Sequence, residues 1–235
     1  MRSTYRFASA YRAPTVAFRL MTANLLQERL ELGQFAELLD RQAPDVVVFQ
    51  ELAGPAAKLV AERFPNHWLR PAFRYTGRGI ATRFPVVFGD VSMPGRNGTY
   101  AELETPDGVV RLVGVHLHNP IDFPWWVSVR SRGAQLDGLF DWVKRHRPPM
   151  VVAGDFNASP AWPAYKRMAA HFEDLVLAAD PDPAPTWAWR PRWPRMLRID
   201  HVFGVGVQST HVEVIPVDGS DHAAIVIDLV VPGSA

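Results

Sequence analysis

The run YAELETPDGVVRLVGVHLH at residues 100–118 decides how the rest of the chain is read. Its centre, Thr105-Pro106-Asp107-Gly108, is a turn with a mechanism: proline presets φ, aspartate bonds to nearby backbone, and glycine tolerates positive φ. Apolar and β-branched residues flank it, so 100–104 and 109–118 are expected to pair as an antiparallel hairpin. A wholly parallel sheet is thereby excluded.

Outward from the hairpin, strands and helices alternate. Residues 16–25 (VAFRLMTANL) read as a strand, and 45–51 (DVVVFQE) and 150–155 (MVVAGD) as buried strands, being short and rich in β-branched residues. Further strands are expected at 79–82, 86–92, 198–203, 211–217 and 223–230. Helical spacing appears at 34–42, which stops before Pro44, and at 56–64, 125–146 and 161–171. A proline-rich loop occupies 181–194. Interleaved helices together with a hairpin predict an α+β chain, a layered sandwich of mixed sheets with helices outside. Residues 1–14 read as an irregular lead-in and 15–235 as one domain, without repeats in residue identity or low-complexity blocks.

The 235 residues are 48% hydrophobic and 21% charged, an ordinary globular composition that can bury a large core without cross-links. The absence of cysteine removes disulfide frameworks and thiolate metal sites. Net charge is +1, so nucleic acid would have to meet a local basic surface rather than a polycation. Arg190, Arg192, Arg195 and Arg198 supply one such surface, and Arg130 and Arg132 another. No run of about 18 apolar residues is present, and the N-terminal arginines precede no signal-peptide core. The expectation is a soluble chain, cytoplasmic unless a tether precedes Met1 in a longer parent.

Polar residues gather at the ends of the apolar runs: Asn24, Glu51, His116 and His118, Asp155 and Asn157, Asp200, and Asp221-His222. Strand ends on a rigid sheet can hold side chains around a cleft. Taken singly each residue fits an ordinary turn or structural hydrogen bond. Taken together they supply hard oxygen ligands for Mg²⁺, Mn²⁺ or Ca²⁺ and a carboxylate to orient an imidazole, which suits attack on phosphorus. A zinc site built on His116 and His118 lacks further ligands at the spacing a zinc hydrolase needs.

The runs TANL, FQE, HLHNP, GDFNASP, RIDHVF and GSDHAAI resemble, in order, the motifs of the endonuclease/exonuclease/phosphatase superfamily over about residues 18–230. The resemblance implies a deoxyribonuclease I-like four-layer α/β/β/α sandwich, with two mixed sheets face to face and helices outside. It implies Glu51 as principal metal ligand with Asn24 beside it and Asp221 contributing to the metal site. Asp155 and Asn157 would face the scissile phosphate, and Asp200 would orient His222. His116 matches the histidine of the deoxyribonuclease and sphingomyelinase branches. Thr186 and Trp187 would line the site.

For the substrate, arginine interleaved with aromatic residues fits phosphate contact and base stacking. Arg78, Trp125, Trp126 and Arg130 are the further candidates. The expected activity is a Mg²⁺- or Mn²⁺-dependent endo- or exonuclease acting on DNA, or on RNA, with low sequence preference and no obligate protein partner. The same tryptophan–arginine pattern also fits a membrane interface. The alternatives are therefore a sphingomyelinase-type phospholipid phosphodiesterase and a non-catalytic nucleic-acid-binding module.

Overall fold

The computed structural model describes residues 18–120 and 125–232. The expected lead-in at 1–14 and the start of the first strand lie outside those residues. In chain order the strands are β1 (Phe18–Asn24), β2 (Val46–Gln50), β3 (Asn66–Arg70), β4 (Arg78–Thr82), β5 (Val86–Val91) and β6 (Gly98–Thr105). They continue as β7 (Gly108–His116), β8 (Met150–Asp155), β9 (Glu173–Asp174), β10 (Asp200–Val205), β11 (Gln208–Pro216) and β12 (Ala223–Val230). The helices are α1 (Leu32–Gln42), α2 (Gly54–Ala61), α3 (Trp125–Val143), α4 (Pro163–Ala169) and α5 (Leu175–Ala179).

One sheet has the order β11-β12-β1-β2-β4-β3 and the other β5-β6-β7-β8-β10-β9. Position for position the two follow one pattern. In each, the third and fourth strands are parallel and every other pair is antiparallel. A parallel pair needs a crossover, and α1 and α3 supply it. This architectural repeat is invisible as residue identity.

Three apolar clusters define four layers. Leu20, Val48 and Ile80 of the first sheet pack against Leu112, Ala153 and Val202 of the second. Met21, Val47 and Phe49 turn the other way, onto Phe35, Leu38, Ala56 and Val60 of α1 and α2. Val113 and Val152 turn outward onto Leu136, Phe140 and Tyr165 of α3 and α4. The α/β/β/α sandwich follows from strands whose two faces are both buried. The hairpin forms with Thr105 opposite Gly108, so its strands run to the Pro106-Asp107 turn.

Several boundaries differ from expectation. β3 was not foreseen: NHWLR sits at a sheet edge, half exposed, and lacks the alternation of a one-faced strand. The short β9 and α5 were also missed. Asp174 begins α5 by accepting from the N–H groups of Val176 and Leu177, a cap inside a stretch with too few residues for periodicity. β10 starts at Asp200 rather than residue 198, and α3 ends three residues before 146.

Candidate active site

Strand register brings the polar ends together. Asn24 at the end of β1 lies opposite Gln50, the residue before Glu51. His116 lies opposite Asp155, and Asp155 opposite Asp200, so three neighbouring strands of the second sheet carry their functional residues in one row. Both parallel pairs therefore end on one cleft of about 560 Å³, whose lining includes Glu51, His116, Asp155, Asn157, Asp221 and His222.

The turns that end these strands are strained or need glycine. Glu51 (φ 52°) and Asn157 (φ 47°) are non-glycine residues in the left-handed region, which costs about 1–2 kcal/mol each. Gly154 has φ 142°, and a Cβ there would lie 2.0 Å from the Val115 carbonyl oxygen. Only glycine lets β8 approach β7 this closely just before Asp155.

Asp200 and His222 form the centre of the site. His222 Nδ1 donates to Asp200 Oδ2 at 2.9 Å, leaving Nε2 facing Asp155 Oδ2 at 3.9 Å and Asp221 Oδ1 at 4.0 Å. Burial disfavours the imidazolium, but the Asp200 carboxylate outweighs it, and Asp155 and Asp221 add to that, so the His222 pKa is raised to about 10. Asp155 is buried too. Loss of hydration pushes its pKa up to about 7, against the opposing pull of His222. His116 Nε2 stands 3.4 Å from Asp155 Oδ2. Its burial, with Arg96, His222 and His118 nearby, lowers its pKa well below the usual value and keeps it neutral.

His222 is held by backbone. The segment around residues 186–197 bridges to it through Trp187, while Thr186 O accepts from Ala223 N and Asp221 O accepts from Ala188 N. Ser220 Oγ donates to Asn24 O and accepts from His222 N. The SDH turn is thus tied both to the loop and to the end of β1.

Asn24 bridges two carboxylates, its Nδ2 donating to Glu51 Oε1 at 3.3 Å and Asp155 Oδ2 at 3.1 Å. Its oxygen accepts from Leu26 N at 3.1 Å, so Asn24 turns N–H groups rather than an oxygen ligand toward Glu51. Gln27, which sequence reasoning missed, donates to Glu51 Oε2 at 3.1 Å and lines the cleft. It reaches Glu51 because Leu26 and Gln27 both have positive φ, and neither residue type signals such a turn. Asn157 donates from Nδ2 to Leu117 O, and its backbone N–H donates to Asp155 Oδ1 at 2.8 Å.

These donors fit a divalent cation. Glu51 receives amide hydrogens and makes no salt bridge among the described residues, and Asp221 Oδ1 is buried without a hydrogen-bond partner. Both border one cleft, and hard oxygen atoms of this kind suit Mg²⁺ or Mn²⁺. Ligand atoms of Asp155, Asp200 and His222 also lie within 4.8 Å of one another. There the direct Asp200–His222 hydrogen bond already occupies Nδ1, so that trio reads better as a proton-handling set than as a ligand shell.

Several expected substrate contacts lie elsewhere. Thr186 does not line the cleft. It is fully buried, and its Oγ1 accepts from the N–H groups of Ile199 and Asp200, fixing the start of β10. Arg78 is paired with Asp90 at 3.1 Å and does not line the cleft. Trp126 and Arg130 are exposed on the first turns of α3 and do not line the cleft, while the side chain of Trp125 lies outside the described residues. Trp187 does line it, with Trp189 edge-on to it at 5.9 Å, and Tyr75 and Arg96 are further lining residues that were not foreseen. His118 is in the lining as well.

A profile of the Endonuclease/Exonuclease/phosphatase family matches residues 21–222. The chain belongs to the endonuclease/exonuclease/phosphatase family. It is 32% identical over 137 residues to a UPF0294 protein of Vibrio vulnificus, covering 58% of this chain and 45% of that protein. The chain thus spans less than half the length of the curated relatives it matches. Among solved structures, the 3' phosphatase NExo from Neisseria bound to a product DNA hairpin superposes with a TM-score of 0.70 at 20% identity, covering 90% of this chain and 99% of that one. D. rerio TDP2 complexed with a single-strand DNA product gives 0.73 at 18% identity, covering 91% and 98%. No helix among the described residues is long and apolar enough to cross a membrane.

Proposed function

We propose that the chain is a nuclease, hydrolysing phosphodiesters of DNA or RNA with Mg²⁺ or Mn²⁺ and little sequence preference. The observation that carries this is the buried Asp200–His222 pair at 2.9 Å opening onto a cleft shared with Glu51, Asp155 and Asn157. Glu51 and Asp221 would hold the cation, which supplies Lewis-acid polarisation of a phosphoryl oxygen. Asn157, whose amide donates to Leu117 O and Asp155 Oδ2, would turn one of these N–H groups to that phosphate group. Asp155, with its pKa near neutrality, exchanges a proton with the attacking water or the leaving oxygen. His222, kept protonated by Asp200, stabilises the charge that builds on phosphorus, and His116 stays neutral as a hydrogen-bonding partner. The raised His222 pKa favours this role over that of base.

Nucleic acid is favoured by the cleft wall. Trp187 and Trp189 meet edge to face beside Leu197 and Ile199, and Tyr75 lies under the Arg96 guanidinium. A flat base stacks on such surfaces next to its phosphate. The DNA present in the NExo and TDP2 structures is consistent with this reading. All five proposed catalytic side chains stand in one place, which a binding module has no need of.

A second reading rests on the exposure of Val127, Val129 and Met196 alongside Trp126, Trp189 and Trp193. Aliphatic side chains do not stack on bases but do enter a bilayer interface, and a phospholipid phosphodiesterase would use them. Incubation with labelled single- and double-stranded DNA, RNA and sphingomyelin vesicles, each with Mg²⁺, Mn²⁺ or chelator, separates the two. Cleavage of nucleic acid without vesicles supports the first, and release of choline phosphate alone overturns it.

A further inference from the structure

Helix α3 carries a stripe of buried polar residues at positions 128, 132 and 135, one helical face at i, i+4 and i+7. Each reaches a backbone atom of the active-site floor. Ser128 Oγ donates to Asn119 O, Gln135 Oε1 accepts from His118 N at 2.8 Å, and Arg132 Nη1 donates to Asn157 O at 2.5 Å. The loop after β7 and the turn after β8 are therefore both bound to one helix of the outer layer.

We propose that this stripe is a clamp for the catalytic floor, and that Arg132 is the positioning residue that holds Asn157 in its left-handed conformation. Arg132 is 7% exposed, its guanidinium lies over the Trp162 ring of the cleft lining, and among the described residues it makes no salt bridge. A buried guanidinium without a carboxylate is costly, so packing alone does not account for it. Its bond to the Asn157 carbonyl holds the peptide unit that follows Asn157, and Asp155 Oδ1 accepts from the N–H of the unit before it, so the residue is held from both sides. From the far side His201 Nε2 lies 2.8 Å from Ala158 O, so the turn is pinned at two successive carbonyls. The positive charge also lies behind the group that would meet the phosphate, where it favours developing negative charge.

The role rests on Asn157 acting as proposed above, yet the positioning can be read without turnover. Hydrogen exchange of the Asn157 backbone amide is compared in wild type, Arg132→Met and Arg132→Lys, with kcat and KM on labelled DNA for these, Asn157→Ala and the Arg132→Met/Asn157→Ala double variant. Arg132→Met is expected to speed exchange at Asn157 at least about tenfold, and to lower kcat about 10- to 100-fold with KM within about threefold. Arg132→Lys restores part of both, and the double variant is no slower than Asn157→Ala. Unchanged exchange at Asn157, or fully additive rate losses, overturns the clamp. A wild type that cleaves no DNA refutes the nuclease reading, while the exchange measurement still decides the positioning.

Discussion

His222 donates from Nδ1 to Asp200 at 2.9 Å across 22 residues of sequence, and both side chains are almost wholly buried. That bond fixes the imidazole tautomer, points Nε2 at the cleft, and holds the ring charged. Asp200→Asn keeps the shape and removes the charge, so the protein is expected to fold while turnover on labelled DNA falls about 100-fold or more. His222→Ala should lose at least as much with far-ultraviolet circular dichroism unchanged. Wild-type rates in either variant contradict the role.

Stability against pH isolates a second histidine. His201 is buried behind Asp200, and burial together with Arg198 lowers its pKa to about 4. Because the unfolded chain takes up this proton first, the contribution is full above pH 6.5 and is lost as pH falls toward 4, an amount of about 3 kcal/mol. Asp155, its pKa raised to about 7, acts with the opposite sign over much of that range. The comparison is therefore urea unfolding of wild type and His201→Gln at pH 7 and pH 4.5. A smaller pH difference in the variant is expected, and equal differences would show that His201 is not held neutral.

Gly154→Ala places a methyl group 2.0 Å from Val115 O at a φ of 142°. The loss of stability should reach about 3 kcal/mol, read as a fall in the unfolding midpoint. An unchanged midpoint would mean that β7 and β8 separate at little cost.

Trp189 is 56% exposed and forms the outer part of the aromatic wall with Trp187. Trp189→Ala is expected to weaken binding of a single-stranded oligonucleotide by about 1–3 kcal/mol without altering stability. Trp126→Ala tests the α3 rim in the same assay. Affinity unchanged by both would favour the vesicle-facing reading.

The sandwich was legible because its deciding signals are local. The Pro-Asp-Gly turn lies within one hairpin, and the strands of the core are short apolar runs bounded by polar residues. The clustering of the candidate residues was legible as residue types at strand ends, since register converts those ends into neighbours, as with His116, Asp155 and Asp200. What stayed hidden depended on distant partners. Arg78 meets Asp90, Thr186 meets the backbone of Ile199 and Asp200, and Arg132 meets Asn157, so arginines that look alike in sequence serve an exposed rim, a salt bridge and a buried clamp. Asn24 showed its residue type but not which end of its amide faces Glu51, and Gln27 gave no signal because its placement follows from two unusual φ angles.

Glu51 carries the account most directly, because its carboxylate faces the cleft and, among the described residues, accepts from the amide groups of Asn24 and Gln27. The decisive measurement is hydrolysis of labelled DNA as a function of Mn²⁺ concentration, after removal of bound metal, by wild type and Glu51→Gln. Wild type should be inactive without metal and recover fully on adding it, while Glu51→Gln should need at least about tenfold more Mn²⁺ and reach a far lower rate. Activity that survives metal removal, or the same Mn²⁺ dependence in both proteins, would contradict a cation held at Glu51.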